Sequence, residues 1–378
     1  MKKVIIAPDS FKGSISSEEF CNIAREVINS YYPECETVNI PIADGGEGTV
    51  DAFVLAVGGE KREITVKGPF FNDIKACYAV LPDGTAVIEM AAAASLPMVY
   101  GKEDPMITTT YGVGELINDA VNGGAKNIII GLGGSCTNDA AAGCLSAMGV
   151  KFKNKEGNVF VPTGGTLTDI ADYDDSEYKE KYAEVKITAM CDITNPFYGE
   201  MGAAYIFAPQ KGASAEKVVV LDNGLRHFAK LVLEKTGKDL QALQGSGAAG
   251  GMGGGLYTFG AVLQKGIDCV LDTVHFEEML QNADLIITGE GKIDSQSLGG
   301  KAVLGISKRG IAKGVPTVAV VGDIGDKMDP VYDMGIAAIY SINRVAVPFK
   351  DARRRSKSDL RLTLDTLMRT SVLFGSMK

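Results

Sequence analysis

A chain of 378 residues is longer than one hydrophobic core ordinarily serves, and 46% apolar with 22% charged residues is the balance of a globular protein, so two domains are expected. Its 38 Lys and Arg against 47 Asp and Glu give a net charge of −9, which repels nucleic-acid phosphates and anionic lipid and removes both from the expected partners. Seven scattered cysteines with no C-x-x-C spacing exclude a disulfide framework and a zinc site and fit reduced thiols in the cytoplasm, while Met1-Lys2-Lys3 and four apolar residues before Pro8 are too few for a signal-peptide core.

In chain order, Lys3–Ala7 reads as a short buried strand. A helix follows, opened by a capping box of Ser16 and Glu19, with Phe20, Ile23, Ala24, Val27 and Ile28 on its inner face. Residues 37–42 are a second strand and 49–57 a second helix. The middle reads differently: strand-like runs at 63–66, 75–80 and 86–90 are separated by Gly and Pro turns. Long loops follow, with apolar strands at 127–132 and 185–190 and helical runs from Ser214 and Ala248. The last hundred residues return to alternation: strand 284–288, helix 302–312, strands 317–321 and 337–342, and a closing helix with Leu360, Leu364, Leu367 and Met368 on one face. The basic run Arg353-Arg354-Arg355 with Lys357 reads as a solvated helix approach. The expected fold class is α/β with two domains. Residues 1–65 plus 285–378 form a Rossmann/flavodoxin-like parallel-sheet domain from both chain ends. A second α/β domain, 66–284, is inserted into it, with ligands expected in the cleft between the two.

Several chemistries are missing. There is no G-x-x-x-x-G-K-[ST] P-loop and no G-x-S-x-G nucleophile elbow, and two histidines cannot make a histidine-rich metal site. The one G-x-G-x-x-G match, Gly245, Gly247 and Gly250, does not follow a strand, so it is a weak dinucleotide signal. What stands out is glycine, 46 residues or about 12% of the chain, clustered beside apolar runs rather than spread through polar ones.

Four such clusters each follow a predicted strand. Asp9, Ser10 and Lys12 supply a carboxylate, a hydroxyl and a cation in one loop. Asp44, Gly45, Gly46 and Glu47 combine free backbone N–H groups with acids able to hold a metal ion. Gly133, Gly134, Ser135, Asn138 and Asp139 form a strand-to-helix loop with donors and little bulk, leading into small residues 140–143; Cys136 and Cys144 read as packing residues. Gly289, Glu290, Gly291, Lys292 and Asp294, followed by Gly299, Gly300 and Lys301, bring acids and lysines, with Glu290 and Asp294 placed to hold Mg2+. Asp192, after the strand ending at residue 190, is a candidate base or metal partner. Positioned phosphates, a cation and a carboxylate near a hydroxyl are what phosphoryl transfer requires. The residues alone reach a phosphate-handling α/β enzyme and name no substrate.

The same stretches, in this order, resemble the bacterial glycerate kinase family: IAPDSFKGS from Ile6, IPIADGGEGTVDA (40–52), TTTYGVGELI (108–117), GLGGSCTNDAAAG (131–143), CDITNPFYG (191–199), FAPQKGAS (207–214) and ITGEGKIDSQSLGGKA (287–302). The resemblance implies a two-domain α/β kinase that phosphorylates D-glycerate with ATP and Mg2+, giving 2-phosphoglycerate or 3-phosphoglycerate. The departures are Cys136 and Ala140-Ala141, where relatives often carry alanine and glycines, and Lys292, where arginine is common and would offer a bidentate fork. Within that reading Asp192 is the base or orienter, Lys12 holds the substrate carboxylate or phosphate beside Asp9, and Glu290 and Asp294 face Mg2+–ATP. A homodimer is the assembly kept open. The rival readings are a kinase for another small hydroxy acid, a non-catalytic ligand-sensing module, and a nicotinamide oxidoreductase.

Overall fold

The computed structural model describes residues 1–11, 13–43, 45–294, 302–326 and 328–375. The strands of its two large sheets are β1 (Lys3–Pro8), β2 (Glu36–Asn39), β3 (Glu60–Lys67), β4 (Asp73–Val80), β5 (Ala86–Glu89), β6 (Asn127–Gly131), β7 (Lys186–Met190), β8 (Val262–Gln264), β9 (Leu285–Gly289), β10 (Thr317–Val321) and β11 (Ile336–Ser341). The chain divides into two compact units: Met1–Ala43 with Asp51–Ala56 and Ile267–Lys378, and Asp44–Val50 with Val57–Gly266.

The first unit holds a five-stranded sheet in the order β11-β10-β9-β1-β2, with every neighbouring pair parallel. Numbered by their sequence within the unit, the strands run 2-1-3-4-5, the flavodoxin-like doubly wound order. Side-chain alternation along β10 shows why helices cover both faces. Val318 and Val320 pack with Phe20, Ala24 and Ile28 of the helix Ser17–Tyr31 and Leu360, Leu364 and Met368 of the helix Phe349–Gly375. Ala319 and Val321 pack with Val303 and Leu304 of the helix Ala302–Ala312. The capping box forms as read: Glu19 N–H donates to Ser16 Oγ, and Ser16 N–H donates to the Glu19 carboxylate, each at 3.1 Å. The basic run lies inside the closing helix, where Arg355 pairs with Asp359 one turn on and Lys357 reaches Glu19.

The second unit is built on a six-stranded sheet ordered β8-β7-β6-β5-β4-β3. Strands β5 to β8 are parallel, and β3 and β4 add an antiparallel hairpin at one edge. Its core runs from Val66 to Ala261 and includes Tyr78, Leu116, Phe152, Phe197 and Phe228. A small antiparallel sheet of Lys151–Lys153, Val159–Phe160 and Asp172–Asp174 lies within the same unit.

Three expectations differ from what folds. The unit limits do not fall at 65 and 285. The whole of β3 pairs with β4 in the second unit, and the helix Gly266–Thr273 joins the first: Ile267 packs against Gly305, and Asp268 and Asp272 pair with Arg309. The stretch read as loop before β6 contains a helix, Tyr111–Asn122, with Val113, Leu116, Ile117 and Ala120 buried. Gly112 and Gly114 depress its helix propensity, yet a Cβ on Gly112 would lie 1.8 Å from Lys67 O and one on Gly114 2.2 Å from Cys144 O. The small-residue helix begins at Ala142, because Ala140 (φ 52°) and Ala141 (φ 62°) are left-handed. Among the described residues no helix is long and apolar enough to cross a membrane.

Candidate active site

The sequence-derived candidates fall into one group in each unit. In the first unit they lie at the carboxyl ends of β1 and β9, adjacent strands whose register pairs Pro8 with Gly289. This is the point where the winding of a 2-1-3-4-5 sheet reverses, the place where ligands of such sheets bind. Asp9 N–H donates to Gly289 O at 2.8 Å, Thr288 Oγ1 donates to Ala7 O at 2.7 Å, and Ser10 N–H folds back on Asp9 Oδ1 at 2.6 Å. The two loops are therefore tied to each other at their roots. Gly289 has a packing reason of its own: a Cβ there would sit 2.2 Å from Val320 O. Beyond it, Glu290 is buried and its carbonyl accepts from Gly322 N–H at 3.1 Å, while Gly291 O accepts from Asp323 N–H at 3.1 Å. Lys292 is exposed and pairs with Asp294 at 3.6 Å.

The second group sits at the carboxyl edge of the parallel strands β6 and β7. The Gly45–Gly48 loop is pressed onto that edge by glycine-to-glycine contact. Gly133 N–H donates to Gly45 O at 2.9 Å, a Cβ on Gly131 would lie 2.3 Å from Gly45 O, and one on Gly133 would lie 2.6 Å from Gly46 Cα. Thr49 Oγ1 donates to Gly46 O at 2.7 Å, and buried Glu89 accepts from Val50 N–H at 2.7 Å, placing a carboxylate at the start of the helix Thr49–Val57. Glu47 and Gly134 are exposed and Gly133 is half-buried, so both loops offer backbone to solvent. Asp192 is also exposed; its Oδ1 accepts from Gly266 N–H at 2.8 Å, which ties the end of β7 to the end of β8. Gly45, Gly46, Glu47, Gly133, Gly134 and Asp192 thus share one edge of one sheet.

Ser135, Asn138 and Asp139 turn inward instead. Asp139 is wholly buried, and its Oδ2 accepts from Thr110 N–H and Thr110 Oγ1, each at 2.8 Å, and from Gly143 N–H at 3.3 Å. Burial pushes its carboxyl above the ordinary range, against the pull of those three bonds. The sequence reading missed Lys211, which lies beneath this loop, 2% exposed. Its ammonium donates to Ser135 Oγ and to Thr137 O, each at 2.7 Å. Burial lowers Lys211 from 10.5 to about 8, opposed by Cys136 and Asp139. Thr137 Oγ1, both polar atoms of the Asn138 amide, Asp139 Oδ1 and Ser246 Oγ are buried without a hydrogen-bond partner among the described residues. The chain is strained nearby: Ala140, Ala141 and Ala249 have positive φ, alongside left-handed Gly250 and Gly251, and Ala140 N–H donates to Gly250 O at 3.1 Å.

Lys12, Asp44 and Lys301 lie outside the described residues. No three His, Cys, Asp or Glu side chains converge as a metal cage among those described. Mg2+ carried on nucleotide phosphates asks for only one or two carboxylates, and carboxylates such as those of Glu290 and Asp294 have the oxygen chemistry that suits that hard cation. The thiols fit packing roles: burial pushes Cys136 up to about 12 and Cys191 to about 11, and Cys144 is raised as well. His227 spends a ring nitrogen on Ile170 O.

Glycine-lined loops at the carboxyl ends of parallel strands, with carboxylates beside them and no activated thiol or histidine, are the equipment of an α/β phosphotransferase. The comparisons narrow this. A family model described as the Glycerate kinase family matches residues 4–372. A protein named "Glycerate kinase" from Bacillus subtilis is 44% identical over 353 residues, 93% of this chain and 92% of that one. One named "Glycerate 2-kinase" from Escherichia coli is 42% identical over 343 residues, 90% of each. A crystal structure of a protein from Salmonella typhimurium LT2 has a TM-score of 0.88 at 37% identity and covers 100% of both chains. The chain belongs to the glycerate kinase family, and it is a kinase.

Proposed function

We propose that this chain transfers the terminal phosphoryl group of ATP to D-glycerate, releasing ADP and 2-phosphoglycerate. The observation that carries the product is the 42% identity, over 90% of both chains, to a protein named for phosphorylation at the 2 position. In this reading the second unit's glycine loops, 45–48 and 133–135, cradle anionic oxygen with backbone N–H groups, and Asp192 orients or deprotonates the attacking hydroxyl. The first unit's Asp9, Ser10 and Lys12 contact substrate or phosphate, with Gly291 and Lys292 nearby in sequence to Glu290 and Asp294, which hold Mg2+. The metal, when bound, neutralises charge on the transferring phosphoryl group. The test is product identification by phosphorus and carbon NMR after incubation with D-glycerate, ATP and Mg2+. A single 2-phosphoglycerate signal is expected. A 3-phosphoglycerate signal would overturn the regiochemistry, and turnover of a different hydroxy acid with none of D-glycerate would overturn the substrate.

A further inference from the structure

We infer that Lys211 is a positioning residue, a buried cation that charges the underside of the Gly133–Thr137 loop and turns the Ser135 hydroxyl into a donor for an anionic ligand. The inference deepens the kinase reading above and rests on it. Lysine is almost never fully buried without a task or a partner, and the partners here are neutral: a serine hydroxyl and a backbone carbonyl, both in the loop. Two neutral acceptors offset little of the cost of taking an ammonium out of water. A fold seeking only stability would do better with a hydrocarbon side chain in the same volume. The local chain is committed to this placement all the same. Pro209 starts the short helical turn that ends at Lys211, and left-handed Gly212 (φ 91°) follows, packed so closely that a Cβ would meet Glu103 O at 2.3 Å.

The geometry gives the charge a use. Ser135 Oγ accepts from Lys211, so its own proton is directed to another acceptor. Ser135 is 7% exposed, next to exposed Gly134, so the loop presents its outer backbone to solvent with the ammonium directly behind. A positive charge behind this loop, inside a low-dielectric interior, attracts an anion far more strongly than the same charge in water. A second observation points the same way. Asn138, wholly buried in the same loop, has an amide with neither its N–H nor its carbonyl partnered among the described residues, and Ser246 Oγ shares that condition. Buried polar atoms left unmatched cost free energy and persist where a ligand or bound solvent completes them. The ligand chemistry is an anionic oxygen, which either an ATP phosphate or the glycerate carboxylate supplies.

The groups facing Lys211 are Cys136 and Asp139, and burial sets its proton affinity near the top of the physiological range, at about 8. The ammonium is present below that pH and is lost above it. The experiment measures KM for ATP and for D-glycerate, each with the other saturating, from about pH 7 to about pH 9.5 for the full chain, for Lys211→Met and for Ser135→Ala. Expected is a rise of about tenfold in KM for one substrate in Lys211→Met with kcat held within about threefold, the scale of a lost charge-assisted contact. The wild-type KM for that substrate should climb as pH passes about 8, and the climb should be absent from Lys211→Met. Which KM moves tells the phosphate from the carboxylate. Unchanged KM values in Lys211→Met, or a loss confined to kcat at every pH, overturn the inference. Should Lys211→Met not fold, the decision passes to the other two arms: a flat wild-type KM with Ser135→Ala unchanged is the refuting result. A wild-type enzyme that ignores glycerate refutes the kinase reading instead, a separate outcome.

Discussion

The contact between the 45–48 loop and the end of β6 can be tested with a single methyl group. Gly133 does not have a left-handed backbone, so Gly133→Ala introduces no dihedral strain. The new Cβ would stand 2.6 Å from Gly46 Cα and 2.9 Å from Gly46 N, where an ordinary contact begins at 3.4 Å. Backbone cannot swing aside as a side chain can, so the Gly45–Gly46 segment must retreat by roughly 0.8 Å, stretching the 2.9 Å bond from Gly133 N–H to Gly45 O. A displacement of about 1 Å in groups that position a reacting ligand costs about 100-fold in rate. The expected result is therefore a fall of about 100-fold in kcat/KM for glycerate phosphorylation, followed by coupled ADP release. The melting temperature should fall by only a few degrees, because both segments sit at the edge of the sheet rather than within its core. Gly124→Ala is the control: its φ of 99° carries left-handed strain, but nothing lies within 4 Å of the new Cβ. It should cost about 1 kcal/mol of stability and leave kcat/KM alone. A folded Gly133→Ala enzyme within about twofold of wild type would show that the loop contact does not position the reaction.

Asp192→Asn keeps shape and removes charge, and turnover is expected to drop at least about 100-fold with an unchanged circular dichroism spectrum, the scale of lost acid–base or orienting help; near-wild-type turnover would take Asp192 out of the mechanism. Thiol labelling checks burial and electrostatics together. Cys21, Cys136 and Cys269 are pushed up to about 12 and Cys191 to about 11 by burial, so at about pH 8 they stay protonated and slow. Half-exposed Cys77 should then account for the fast phase of a chromogenic disulfide titration, which Cys77→Ser should abolish. A fast phase that survives in Cys77→Ser would show that half-exposed Cys191 or one of the buried thiols reacts despite its raised pKa.

Where local signals and tertiary packing agreed, the sequence was readable. The β-branched runs at 4–6, 286–288 and 317–321 became strands of a parallel sheet, the Ser16–Glu19 capping box opened a helix, and each glycine cluster followed a strand end. Where they disagreed, propensity misled. The helix Tyr111–Asn122 is hidden by Gly112 and Gly114, which are there because Lys67 O and Cys144 O leave no room for a side chain. Ala140 and Ala141, strong helix formers, are held left-handed against the Gly250 segment, more than a hundred residues away in the chain. The unit limits were misplaced for a related reason: β3 alternates in the same way whichever sheet receives it, and only its register with β4 assigns it.

The site divides along the same line. The strand-end placement of Asp9, Gly133 and Asp192 was legible because a carboxylate or glycine just past a strand is positioned locally, in the direction the strand points. Lys211 was not. In Pro209-Gln210-Lys211-Gly212 a lysine before a glycine has the look of a solvated turn, and its charge argues for the surface. Its burial is decided by Gly212 closing on Glu103 and by Ser135 and Thr137 meeting the ammonium from a loop some 75 residues earlier in the chain. A buried ammonium whose hydrogen bonds go to neutral acceptors, and whose burial outweighs the pull of Asp139, works against folding, since the unfolded chain keeps its proton at pH values where the folded chain gives it up. Between about pH 8 and the ordinary lysine value of 10.5 this group's contribution to stability therefore rises with pH, while its hold on an anion fades. Stability and anion affinity moving in opposite directions across one pH window is the signature of a charge kept for ligand rather than for fold, and a chain in which both fell together would be one in which the charge of Asp139 outweighs burial in holding Lys211 in place.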